Sequence, residues 1–127
     1  TPLQTLFPYT TLFRSNADAV KASAGALMRI DTCRVPNLRL AAYYLKQSGF
    51  RIVAATEKVD SLLYDARLTG PLAIVVGAEG TGISRSMLEL ADEKVAIPMA
   101  GEISSLNVSV AASVLLYEAV RQRRNNN

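Results

Sequence analysis

Residues 72–84 read LAIVVGAEGTGIS, and the change of character along this stretch decides the fold. LAIVV, residues 72–76, is a continuous apolar run set off upstream by Gly70-Pro71, which predicts a parallel strand covered on both faces. GAEGTGIS, residues 77–84, follows with three glycines. Such a loop lets main-chain N–H groups approach a ligand at the start of a helix, here one capped by Ser84 and running over residues 84–90. Strand, glycine loop and amphipathic helix make one step of an α/β fold.

Upstream, RIVAA at residues 51–55 predicts another buried strand, closed by the polar turn Thr56-Glu57-Lys58 and followed by a helix within residues 60–68. A helix capped by Asn37 is expected through Ser48, with Gly49 supplying a left-handed C-cap. Before it come a short strand over residues 29–33, stopped by the VPN turn at residues 35–37, and an alanine-rich helix over residues 17–28. Downstream, residues 94–97 read as a strand entering the turn at 98–102. A long helix then runs from about Ser105 to Arg123, with apolar residues around so much of its circumference that it must be covered on more than one side. The alternation predicts a largely parallel sheet flanked by helices, with ligand sites at the carboxyl ends of the strands. Three loops belong there: Thr56-Glu57, residues 77–82 and residues 98–105.

The two ends read differently. Residues 1–15, TPLQTLFPYTTLFRS, show neither helical nor strand periodicity, and FPYTTLFRS resembles a translated sequencing adapter. This segment is set aside as non-native, with an ordinary disordered or strand-forming N-terminus as the alternative; residues 16–124 are taken as the domain, and residues 125–127 as a disordered asparagine tail.

Composition narrows the chemistry. At 127 residues, 50% of them apolar, the chain makes one compact domain. With no histidine and the single cysteine Cys33, Ser-His-Asp catalysis, Cys-His catalysis, histidine-based metal sites and an internal disulfide are excluded, and no metal is expected. The longest apolar stretch, residues 108–116, is broken by serines and falls well short of the roughly 20 residues a membrane span needs, so a soluble protein with no membrane partner is expected. A net charge of +3 permits a nucleic-acid partner, though so mild an excess also suits an ordinary solvated surface.

The glycine loop lacks the lysine of a GxxxxGK[ST] phosphate loop and the spacing of GxGxxG, so by itself it indicates only a nucleotide-like ligand. Glu79 would repel a triphosphate and suits a cationic cofactor or an incoming hydroxyl; as a plain turn residue it would pair with solvent or Arg85. In IPMAGEISSLNVSVAASVLLYEAVRQR, residues 97–123, Ser104 or Ser105 caps the helix. Asn107 sits in its first turn with an amide that donates and accepts; a good cap plus one buried polar residue is the alternative reading.

Together, IVVGAEGTGIS and, some twenty residues on, VAIPMAGEISSLNVSVAASVLLYEA resemble motifs 2 and 3 of the SpoU branch of the SPOUT methyltransferases. The resemblance is close through both loops and the last helix and extends loosely back to Asn16. It implies a trefoil-knotted α/β fold in a cytoplasmic homodimer that uses S-adenosylmethionine, without metal, to methylate a ribose 2'-OH of RNA. It places Thr56, Gly77, Gly80, Ile97, Met99 and Leu106 at the cofactor. Glu79, Ser105 and Asn107 match the polar residues that orient the target ribose.

In that family an arginine in an NxGAxxRTA-like first motif handles the hydroxyl proton. The chain has no such segment: residues 16–26, NADAVKASAGA, lack the arginine, and Arg14 has no matching context. The resemblance therefore implies a domain lacking its first motif and first strand or strands, with weak cofactor binding and negligible methyl transfer. Within the family, IPMAG, SSLNVS and EAVRQR lean toward enzymes acting on a guanosine of 23S rRNA. A tRNA ribose methylase is the second choice and a non-catalytic RNA- or nucleotide-binding module the third. The asparagine of SSLNVS speaks against the branch that methylates a base nitrogen of tRNA.

Overall fold

The computed structural model describes residues 4–8, 31–57, 59, 61–77, 82–98 and 108–125. The expected helix over residues 17–28 lies outside them. The chain forms two compact units, Thr1–Ala41 and Ala42–Asn127.

In the first unit, β1 (Gln4–Pro8) pairs in parallel with β2 (Asp31–Val35), Gln4 opposite Asp31 and Pro8 opposite Val35. This corrects the reading of residues 1–15 as lacking strand character. Five residues are too few to show a period, and a parallel strand is defined by the partner it bonds, not by alternation of its own side chains. Pro8, which has no N–H to give, stands at the strand's last position, where its loss costs least. The second strand lies two residues later than the sequence indicates. Helix α1 (Leu38–Gln47) follows, its first turn capped by Asn37 Oδ1 accepting from the Leu40 N–H at 3.1 Å.

The end of α1 is a Schellman turn. Gly49 adopts φ of 93°, its N–H donates to the Lys46 carbonyl at 3.1 Å, and the Phe50 N–H reaches the Leu45 carbonyl at 3.0 Å. The chain thereby turns directly into β3 (Arg51–Ala55), the central strand of the second unit. β4 (Leu72–Val75), helix α2 (Arg85–Leu90), β5 (Glu93–Val95) and helix α3 (Val108–Asn125) complete it. The three strands lie in the order β4-β3-β5, all parallel. Ser84 caps α2 as expected, its Oγ accepting from the Met87 N–H at 3.4 Å.

Several boundaries differ from the sequence reading. Residues 61–68 form no α-helix: only a 3-10 turn, Leu63–Asp65, is present, because the main chain there bonds to β5 instead. The apolar strand β4 is half-buried along its length, and the strand enclosed on both faces is β3, whose Ile52, Val53 and Ala54 are wholly inaccessible. Asn125, expected in a disordered tail, is the last residue of α3.

Helix α3 also covers less than its composition suggests. Leu115, Glu118 and Ala119 form its buried stripe, whereas Val110, Leu116, Tyr117 and Val120 are exposed on this chain. Leu115 and Ala119 join Val53, Leu63, Ala66, Leu68 and Val95 in the core. The parallel sheet flanked by helices is the expected α/β architecture; residues 99–107, on which the expected knot turns, lie outside the described residues.

The strands' amino ends are held by charge. Asp92 Oδ2 accepts from the Ile52 N–H at 2.7 Å, the Asp92 N–H donates to the Ile52 carbonyl at 2.8 Å, and Lys46 Nζ stands 3.2 Å from Asp92 Oδ1. Arg51 pairs with Glu93 beside them. The Ile52 N–H holds the Asp92 carboxyl below its usual range; partial burial opposes this and Lys46 adds to it. A carboxylate with a lowered folded-state pKa stabilises the fold above its unfolded pKa and loses that contribution as pH falls through the folded value. We therefore expect Asp92→Ala to cost about 1 kcal/mol in urea unfolding at pH 7, since it strips the acceptor from a buried main-chain N–H. The gap to the unsubstituted chain should begin to narrow below about pH 4 and keep narrowing as the pH falls further through the lowered folded-state value; a gap that does not narrow at all on acidification would exclude ionised Asp92 as its source.

Candidate active site at the carboxyl edge of the sheet

The register of the sheet brings the expected loops together. Ala54 is opposite Val75 on β4 and Lys94 on β5, and Ala55 is opposite Val95. Continued by one or two residues, the same register sets Thr56 level with Gly77 on one side and Ala96 on the other, with Ile97 next. Parallel neighbours stand about 4.8 Å apart, so Thr56, Gly77 and Ile97 gather at one edge despite their separation in sequence. The main chain at this edge is thus made by Ala55-Thr56, Val76-Gly77 and Ala96-Ile97.

Gly77 is there for a steric reason. A Cβ on it would run into the Gly82 carbonyl carbon and stand 2.5 Å from the Ile83 nitrogen and 2.7 Å from the Gly82 oxygen. The glycine loop therefore closes on its own neck, main chain against main chain, and Gly82 turns it with φ of 70°. A side chain at Gly77 would overlap main chain, whereas one at Gly82 would meet open space and be strained only by the positive φ.

The next loop is secured on both edges of β5. Adjacent residues of an extended strand present their main-chain groups to opposite sides. The Val95 carbonyl accepts from the Thr56 N–H at 2.9 Å on the β3 side. Ala96 faces the other way, where its N–H donates to the Ser61 carbonyl at 3.1 Å and its carbonyl accepts from the Leu63 N–H at 2.8 Å. The chain leaving β3 thus passes from one edge of β5 to the other between Thr56 and Ser61. Ile97, immediately after this crossing, packs half-buried against the core.

Of the residues expected at the cofactor, Thr56, Gly77 and Ile97 are thus placed at one edge. Gly80, Met99 and Leu106, and the three expected ribose-orienting residues Glu79, Ser105 and Asn107, lie outside the described residues. No group of three or more Cys, Asp and Glu side chains able to hold a metal occurs among the described residues.

The sequence reading passed over a polar cluster at the far end of α3. Glu118 is buried, and Arg121 grips its carboxylate in a bidentate pair at 2.7 and 2.8 Å. That guanidinium keeps the Glu118 carboxyl ionised below its usual range, against the opposing effect of burial. Gln122 adds a third hydrogen bond at 2.9 Å. The i, i+3, i+4 spacing of Glu118, Arg121 and Gln122 in EAVRQR was the available signal, since those positions share a helix face. From the loop geometry, Gly77→Ala is expected to cost about 2 kcal/mol through main-chain overlap, read as a lowered thermal midpoint; an unchanged midpoint would contradict the closed neck.

Comparison with known proteins places the chain in a family. The model of the SpoU rRNA Methylase family matches residues 5–117. A protein of Pectobacterium atrosepticum named 23S rRNA (guanosine-2'-O-)-methyltransferase RlmB is 48% identical over 108 residues, spanning 85% of this chain and 44% of its own length. Among solved structures, the SpoU methyltransferase AviRb from Streptomyces viridochromogenes in complex with the cofactor AdoMet superimposes with a TM-score of 0.86 at 31% identity, over 96% of this chain and 50% of that one. An RNA 2'-O ribose methyltransferase superimposes with a TM-score of 0.82 at 35% identity, over 94% and 46%. The chain spans about half the length of these relatives, and in sequence and fold it belongs to the SpoU rRNA methylase family.

Proposed function

We propose that this chain forms the S-adenosylmethionine-binding end of an RNA 2'-O-ribose methyltransferase whose substrate is a guanosine of 23S rRNA. The observation that carries the reading is the register of β3 with β4 and β5, which, carried on by one or two residues, gathers Thr56, Gly77 and Ile97 at one edge of the parallel sheet. The residues suit the cofactor: Val76 and Ile97 are half-buried apolar residues beside this edge, and the main chain at Gly77 and Ile97 carries hydrogen-bonding groups that an adenosyl ligand could meet. The AdoMet complex of the similar AviRb supports the choice of ligand, and the name of the Pectobacterium relative, a 23S rRNA guanosine methyltransferase, supports the choice of RNA.

When bound, S-adenosylmethionine supplies an electrophilic methyl carbon and its own neutral leaving group. What remains for the protein is to desolvate and align a ribose 2'-OH and to assist loss of its proton. We assign the main chain of Gly77, Gly80, Ile97, Met99 and Leu106, with Thr56, to the cofactor, and Glu79, Ser105 and Asn107 to holding the ribose.

Calorimetry with S-adenosylmethionine tests the binding, and tritium transfer to 23S rRNA and tRNA transcripts tests the chemistry. A measurable affinity that falls at least about tenfold in Gly77→Ala supports the site; no binding at all overturns it. Transfer to the ribose of 23S rRNA supports the reaction, and transfer to tRNA alone would overturn the choice of rRNA.

The reading also carries a cytoplasmic homodimer. No described helix is long and apolar enough to cross a membrane. The exposed Val110, Tyr117 and Tyr64 line an open, mostly apolar groove of about 590 Å³, completed by Leu63, Val114 and Arg121, which suits a second protomer. Tyr117→Glu is expected to convert dimer to monomer in light scattering without altering the fold; a monomeric unsubstituted chain would remove the dimer from the reading.

A further inference from the structure

We propose that Gln122, at the far end of α3, is a positioning residue for the cofactor edge: it holds the segment 61–68 in the place from which that segment fixes Ala96 and Ile97. The inference rests on the reading of that edge as the S-adenosylmethionine site.

The geometry is a continuous relay of short hydrogen bonds. The Gln122 amide lies along the main chain of residues 66–68 like a neighbouring strand, its Oε1 accepting from the Leu68 N–H at 2.8 Å and its Nε2 donating to the Ala66 carbonyl at 2.9 Å. The orientation of the amide is set twice over, because Nε2 also donates to Glu118 Oε2, and that carboxylate is itself gripped by Arg121. Arg123 extends the hold by donating to the Gly70 carbonyl at 2.6 Å. From Ala66 the relay continues through its N–H to the Leu63 carbonyl at 3.2 Å, and from the Leu63 N–H to the Ala96 carbonyl at 2.8 Å.

These bonds do more than fill a helix end. Residues 61–68 form neither an α-helix nor a strand of the sheet, and only the 3-10 turn and the bridge to Ala96 are regular. A segment without its own ladder takes its position from what it is bonded to. Toward α3 that is Gln122, with Arg123 donating to the Leu68 carbonyl at 3.4 Å; Arg51 of β3 donates to the Arg67 carbonyl at 3.1 Å; and on the other side it is Ala96, with Ile97 the next residue. Leu63 and Leu68, both wholly buried, add apolar anchoring but no direction along the chain; the amide supplies the register. A helix terminus remote in sequence therefore sets where the main chain at Ile97 meets the cofactor.

The test uses the full chain with Gln122→Met, which keeps length and apolar volume but loses the amide, and with Gln122→Asn, which keeps an amide too short to span Ala66 and Leu68 and serves if the first fails to fold. Two readouts are needed: amide hydrogen exchange and calorimetric affinity for S-adenosylmethionine. We expect the Leu63 and Ala96 amides to exchange about tenfold faster while those of Arg51 and Ile52, bonded to Pro71 and Asp92, hold their protection. Affinity should fall about five- to tenfold at a temperature where both proteins are folded. The proposal is overturned if Leu63 and Ala96 stay protected, if all four amides loosen equally, or if the two loosen and affinity is unchanged. An unsubstituted chain that takes up no S-adenosylmethionine overturns the cofactor reading and the positioning role with it, a failure recognisable because it appears before any substitution is made.

Discussion

The parallel pairing of β3 with both of its neighbours is the constraint on which the rest of the second unit depends. Parallel strands must start at one edge and finish at the other, so each connection returns across the sheet and each carboxyl end opens at the same place. β3 is enclosed on both faces and bonded on both edges, and its Ile52, Val53 and Ala54 are the least accessible residues of the sheet. Any displacement of β3 would shift Thr56 against Gly77 and Ala96 together. The opposite edge prevents this: Asp92 and Glu93 hold Ile52 and Arg51, so charge is spent at the amino ends and the carboxyl ends are left to main chain and small residues.

The second dependence is on β5, whose last residues serve two partners. Val95 bonds back to Thr56, Ala96 bonds outward to residues 61 and 63, and one short strand thereby anchors both ends of the loop that leaves β3. Burial then consolidates the crossing, since Leu63 and Val95 meet Leu115 and Ala119 of α3 in the same apolar cluster. The polar groups of Glu118, Arg121 and Gln122 sit at the rim of that cluster, where each has a partner, so the ionic network adds direction to packing that is itself indifferent to orientation.

Much of this was legible along the chain. Asn37 and Gly49 bracket α1 because a side-chain cap and a left-handed residue are local requirements. Ser84 caps α2 on the same principle, and RIVAA forms β3 at the stated boundaries because a short β-branched run between turns has few other uses. Gly77 was legible as a necessary glycine, and the pairing of its loop with SSLNVS carried the family. Residues 61–68 were misread because their helical composition was a local signal overruled by a bond to Ala96, more than thirty positions away. β1 was missed for the related reason that its character resides in β2.

By itself, then, the sequence determined the local punctuation, the strand-and-helix alternation and the family, since caps, turns and motifs are properties of neighbouring residues. Only the tertiary structure decided which strand is enclosed, that the register of β3 with its two neighbours gathers Thr56, Gly77 and Ile97 at one edge, and that Gln122 reaches Ala66 and Leu68 across more than fifty residues. Register and long-range hydrogen bonds are relations between distant segments. Their positions follow from how the whole core closes, and no window along the chain contains that information.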